Sequence, residues 1–326
     1  MLRTLWRIAV ALCLLGWAVG IGEAQTTLRI GNIYPDKHSL GQQAHYFSQE
    51  VEKRTGGKVK IQVFNDSVLG SEREMAEGVK AGTLDIVISG LAGVGRFIQG
   101  IHVFELPYLY NDLEHLARVT DALFPDIERV MLKEGFRPLG VAYQGPRSII
   151  AKRALRSLPD VKGLKFRVPE APLYVGMARA MGAVPTPVAF PEVYTALQTG
   201  VAEAMEGGPD TVYNNKFYEQ AKFFNLTQHI FHVLYITMSE ANYARLPAEV
   251  QQALRDGAQS SSRYQFDLLK KTNEEAIQKM REAGVTIVPI QDLAPFRQAM
   301  AEFNKSYAER LGADAVALLN RIQSIK

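Results

Sequence analysis

Between residues 28 and 143 the chain switches repeatedly between a two-residue and a 3.6-residue apolar period, and that alternation confines the fold more tightly than any other feature. Residues 28–33 read as a strand, 38–54 as an amphipathic helix, and 58–64 as a second strand after the Gly56-Gly57 break. A helix over 71–81 opens on Ser71 with Glu74 three positions on, the spacing of a capping box, and 84–89 supplies a third strand. A helix over 112–134 and a strand over 136–143 continue the series. Strands that alternate with helices predict an α/β fold, with a mostly parallel sheet and helices on both faces.

After Tyr143 the pattern restarts, with strands over 148–151 and 164–168, helices over 173–181 and 191–198, and a strand-like run over 232–238. Residues 247–283 contain few breakers and stop before Gly284; a helix of that length can bridge two bodies. The first 24 residues read as an export signal. Arg3 and Arg7 make a positive start, residues 8–19 an apolar run, and Gly22-Glu23-Ala24 a small-residue cleavage site before Gln25. The apolar run is too short to span a bilayer comfortably. Cys13, the one cysteine of the chain, falls inside it and follows Leu12, where a lipoprotein signal would want a small residue. The exported chain is therefore expected to carry no lipid, no disulfide and no thiolate metal site. About 300 residues remain, enough for two cores rather than one.

Without Arg3, Arg7 and Glu23, the 37 basic and 34 acidic residues become 35 and 33, a net charge of +2. Neither a block of like charges nor a basic helix interrupts this balance, so neither nucleic acid nor a membrane surface is expected as a partner. No cofactor is expected. Gly90, Gly93 and Gly95 do not form a dinucleotide-binding fingerprint, and Gly57-Lys58 is followed by Val59 rather than by the Ser or Thr of a phosphate loop. His229 and His232 lie three apart without a third ligand, the pattern of structural histidines.

The segment most suggestive of function runs from Gly163 to Glu206. Leu164, Phe166 and Val168 alternate with Lys165 and Arg167 as in a half-buried strand, which Pro169 ends. Arg167 thus stands at a strand's carboxyl end, the edge of an open α/β sheet where small ligands bind, and a guanidinium there can grip a carboxylate through two charge-assisted hydrogen bonds. On an open face it would instead be an ordinary solvated arginine. G-L-K-F-R-V-P at 163–169, P-T-P-V-A-F-P-E-V-Y-T-A-L-Q-T-G at 185–200 and K-F-Y-E at 216–219 together resemble the solute-binding proteins of tripartite ATP-independent periplasmic (TRAP) transporters.

That resemblance implies two α/β lobes crossed by strands and one long helix, with the ligand in the cleft between them. The boundaries expected on this plan are 25–145 plus 236–274 for one lobe and 146–235 plus 275–326 for the other. It implies a periplasmic receptor, expected to be a monomer, that delivers a small organic or sugar acid to integral membrane permease subunits and catalyses no reaction. Arg167 would hold the substrate carboxylate. Arg147 and Gln144, in A-Y-Q-G-P-R-S, and Phe190, in V-A-F-P-E-V-Y, would complete the contacts. Asn32, Ser89 and Gly90 follow strands of the first lobe and are further candidates, with Tyr34 and His38 beside them.

The chain departs from the sialic-acid-binding branch at two positions: Gly207 replaces an asparagine and Gly90 replaces a glutamate. A different acid is therefore expected, with Glu206, Asp210, Tyr213 or Asn214 as partners for its hydroxyls; aldonic and uronic acids, C4-dicarboxylates and hydroxy or oxo monocarboxylates all remain open. A receptor for an ATP-driven importer, a sensory receptor, and an exported hydrolase or lyase are the alternatives. The last would need a nucleophile, a metal cluster or a tuned acid/base pair. Glu203 and Glu206 offer the nearest approach to such a pair.

Overall fold

A computed structural model describes residues 25–326; the expected leader, Cys13 included, lies outside the described residues. The first half runs β1 (Thr26–Gly31), α1 (Ser39–Arg54), β2 (Val59–Phe64), α2 (Glu72–Ala81), β3 (Ile86–Ser89), α3 (Leu113–Ala122), α4 (Phe124–Lys133) and β4 (Phe136–Ala151). It continues with β5 (Lys165–Val168), α5 (Pro172–Ala180), β6 (Val184–Pro187), α6 (Val193–Thr199), β7 (Ala204–Gly207) and α7 (Pro209–Asn214). The remainder is β8 (Phe223–Ser239), α8 (Glu240–Tyr243), α9 (Ala248–Glu282), β9 (Thr286–Val288), α10 (Ala294–Leu311) and α11 (Ala313–Ser324).

All nine strands form one sheet in the order β2-β1-β3-β8-β4-β7-β5-β6, with β9 on β8. It is mixed rather than mostly parallel. Within each half the strands β1, β2 and β3, or β5, β6 and β7, pair parallel, while β8 and β4 run antiparallel to each other and to β3 and β7 respectively. The 16-residue β4 and the 17-residue β8 cross both halves. The expected break after Tyr143 is therefore an irregularity inside one strand: the β4–β8 register shifts between Gln144 and Arg147, around Gly145-Pro146. Such a bulge bends a strand and re-aims its side chains.

Local sequence accounts for the elements around this sheet. Ser71 and Glu74 close the capping box that starts α2, and Gly82 ends that helix in the left-handed conformation, where a Cβ would be strained. The helix expected over 112–134 is two helices that break at Leu123, because Pro125 occupies the first turn of the second one, where its missing N–H costs nothing. At 35 residues α9 is about 52 Å long, and Gly257 lets it lie close against Phe47 and Val51 of α1. The main core runs through both halves, and a smaller cluster gathers Val193, Leu197, Met205, Phe217, Phe224 and Met280 in the second. Helices α10 and α11 sit across the two. Phe303 of α10 packs on Gly176 of α5, while Tyr307 bonds His102, Ile325 bonds His115 and Arg321 pairs with Asp126.

Candidate binding site

The β4 irregularity and the ends of β1, β5 and β7 converge on one small buried cavity. Ile33, Tyr34, Glu72, Leu91 and Ala92 face it from the first half, and Arg167, Pro169, Tyr174, Phe190, Glu206 and Thr211 from the second. Gln144, Arg147 and His232, on the crossing strands, complete the wall. Two arginines, two carboxylates and a histidine thus line a single buried space.

The two arginines are in opposite electrostatic situations. Arg147 is bound bidentately to Glu206 through Nε and Nη2, and its Nη1 donates to Gln144 Oε1 at 3.1 Å and to His232 Nδ1 at 2.7 Å. Burial alone would lower its pKa; the Glu206 charge and hydrogen bonds turn the net shift upward. Arg167 has no such partner. Its Nε and Nη2 both donate to the Val188 carbonyl, at 3.0 and 2.7 Å, and among the described residues no carboxylate bonds to it. Only 2 % of the residue is exposed, and burial pushes its pKa down to about 10, with Arg147 adding to the fall against the pull of Glu206. Arg167 is not on an open face, the alternative to its expected place at the ligand. Phe166, Arg167 and Val168 are all buried, because the opposite half covers the end of β5.

Glu72 lies in the first turn of α2, placed there by the Ser71 cap, and its Oε1 accepts from Gly90 N at 3.0 Å. Burial raises its pKa, opposed by that bond and by the two arginines. His232 Nε2 is 3.3 Å from Glu105 Oε2, an oxygen that accepts from Tyr174, but makes no hydrogen bond of its own among the described residues. Because Arg147 donates to Nδ1, the imidazole proton sits on Nε2. Burial pushes the Glu105 carboxyl up to about 8. Phe190 closes one side, its ring 5.9 Å from the Arg167 guanidinium carbon and 5.5 Å from Tyr34.

Of the residues singled out from sequence, Arg167, Arg147, Gln144, Phe190 and Glu206 line the cavity, and so does Tyr34. The others stand outside its lining. Asn32 braces a turn through Asn65 Oδ1 and Tyr34 N. Ser89 accepts from Val94 N. Gly90 makes room for His232, whose Nε2 would be 2.6 Å from a Cβ there. Gly207 follows Glu206 on β7. Asp210 accepts from Ser39 N and from Asn214, and Tyr213 stacks on Tyr218. The cavity's Glu72, Tyr174, Thr211 and His232 escaped sequence reasoning. Their signal was weak: Glu72 sits beside the capping box, and His232 within a histidine pair that reads as structural.

A polar cavity between the halves of a two-lobed α/β protein, at the carboxyl ends of its strands, is the build of a solute receptor. The family model described as bacterial extracellular solute-binding protein, family 7, matches residues 30–310, and the chain belongs to that family. A solute-binding protein of Verminephrobacter eiseniae is 32% identical over 98% of this chain and 96% of its own. The 2,3-diketo-L-gulonate-binding periplasmic protein of Escherichia coli is 31% identical over 92% and 93%. The crystal structure of a TRAP periplasmic solute-binding protein from Roseobacter denitrificans with bound β-D-glucuronate superposes with a TM-score of 0.88 at 31% identity, covering 92% of this chain and all of that one. The corresponding protein of a Polaromonas species, bound to D-erythronate, gives 0.88 at 29% identity over 92% and 99%.

Proposed function

We propose that this protein is a non-catalytic periplasmic receptor that captures a monoanionic, hydroxylated acid of the aldonate or uronate class and delivers it to a TRAP-type permease. The observation that carries this reading is the buried, carboxylate-free guanidinium of Arg167 at the cavity. An unpaired buried charge costs several kcal/mol, which a bound carboxylate offsets, so the acid itself stabilises the closed arrangement. Arg147 is already neutralised by Glu206, and Glu72 adds a further carboxylate to the wall. A second negative charge on the ligand would find no free cation, which disfavours C4-dicarboxylates. Gln144, Tyr174, Glu72 and Thr211 supply donors and acceptors for hydroxyls, and Phe190 an apolar face for the carbon skeleton.

The moving bodies on this reading are 25–145 with 236–274 and 146–235 with 275–326, the terminal helices α10 and α11 resting against both. Export through the first 24 residues places the receptor outside the cytoplasmic membrane. No helix among the described residues is long and apolar enough to cross a membrane. The solved structures' bound uronates and aldonates support the ligand class.

Calorimetry against D-glucuronate, D-galacturonate, L-galactonate, D-erythronate and succinate tests the proposal. At least one sugar acid should bind, and succinate should bind far more weakly. Arg167→Ala should weaken that binding by about 30-fold or more, since truncating one side of a buried charge pair costs about 2–5 kcal/mol. Arg167→Lys should also fail, because an ammonium lacks the planar fork. Undiminished affinity in Arg167→Ala would refute the proposal.

A further inference from the structure

Beside the cavity, where Thr211 enters its wall, the start of α1 meets the start of α7. Asp210, only 1 % exposed, accepts a hydrogen bond from Ser39 N at 2.9 Å, with His38 Nδ1 3.5 Å away. The same carboxylate accepts from Asn214 and, at 3.3 Å, from Thr272 of the long helix. His38 Nδ1 accepts from Leu40 N at 3.1 Å, so its proton lies on Nε2, which faces Thr211 Oγ1 at 3.0 Å. Thr211 lines the cavity and also accepts from Gln144. A second-lobe carboxylate therefore satisfies the orphan Ser39 N–H at the start of a 16-residue helix of the first, while His38 caps the Leu40 N–H, and one hydroxyl joins that contact to the cavity wall.

We propose that Asp210, with His38 and Thr211, is the latch of the closed receptor: a positioning residue that touches no ligand and sets how long one is retained. The inference rests on the reading that binding shuts two lobes on an acid. If they part when the receptor opens, Ser39 N and the Asp210 carboxylate separate into water. Closure re-forms a charge-assisted hydrogen bond in a dry site, the kind of contact whose loss changes dissociation more than association. The latch also gives Asp210 a role other than the hydroxyl contact expected from sequence, because its oxygens are taken by Ser39, Asn214 and Thr272.

The probes are D-glucuronate, D-galacturonate, L-galactonate and D-erythronate, with rates from surface plasmon resonance and affinities from calorimetry. In Asp210→Ala, dissociation should quicken by about tenfold or more while association changes by less than about threefold, consistent with the loss of a hydrogen bond to a charged group. The factor should be the same for every acid that binds, whereas a ligand contact would discriminate among them. Asp210→Asn, which keeps an acceptor for Ser39 N, should recover most of the retention. Hydrogen exchange of the wild type should show the Ser39 amide protected on addition of a binding acid.

Two results overturn the latch alone: an unchanged dissociation rate in Asp210→Ala, or a Ser39 amide equally protected with and without acid. A variant that merely loses stability would show a lowered ligand-free melting temperature with unchanged rates, which is the first of these. A wild type that binds none of the four acids overturns the receptor reading and the latch with it, and is seen before any substitution is made.

Discussion

Gly90 illustrates what a single atom decides in this site. A methyl group there would stand 2.6 Å from His232 Nε2, and the imidazole has little room to yield because Arg147 holds its other nitrogen. Gly90→Ala should therefore cost about 1–3 kcal/mol by overpacking and weaken binding as His232 shifts, both readable by denaturant titration and calorimetry. The ionisable residues behind it make stability depend on pH in a definite sense. Glu105, raised from 4.5 to about 8, keeps its proton in the folded chain where the unfolded chain has released it, so its contribution falls as pH rises across that interval. His229, lowered from 6.5 to about 4, acts in the opposite sense below 6.5. Between pH 6.5 and 8 the carboxyl dominates: the melting temperature should decline there, and Glu105→Gln should flatten the decline.

Among the elements, α2 is the clearest link between local sequence and cavity. The Ser71 cap fixes the first turn, and Glu72 in that turn faces the cavity. Ser71→Ala should cost about 1 kcal/mol in urea unfolding and should also weaken acid binding, since a frayed turn no longer holds Glu72. This helix was legible in the sequence because a cap is a local pattern, as was the long α9, whose residues contain few breakers. The continuity of β4 was not. Gln144, Gly145 and Pro146 read as a loop, and only pairing with the distant β8 carries the strand through them. The cavity shows the same division. Arg167 and Phe190 lie in the run that carries the family resemblance, whereas Tyr174, Thr211 and His232 reach the cavity from α5, α7 and β8 through packing that no local pattern records. Asn32 and Ser89 occupy the expected strand ends but serve turns, the other common use of polar residues there.

For the whole molecule, the expected behaviour is two bodies drawn together by an anion. At one hundred times its dissociation constant a bound acid should add about 2.7 kcal/mol of stability, seen as a rise in melting temperature. Small-angle scattering should report a smaller radius of gyration at the same concentration, and a compacting acid that leaves the melting temperature unmoved would contradict the linkage.

The two strands that traverse both halves carry a consequence for anyone who would divide this protein. Since β4 and β8 furnish hydrogen-bonding edges to β3 and β9 at one flank and to β7 at the other, neither portion is a self-contained module. Expressed singly, each would bare a raw edge ready to pair with any passing chain. Attempts to swap one portion between relatives would have to exchange the shared strands as a unit, along with the histidine and arginine that ride on them.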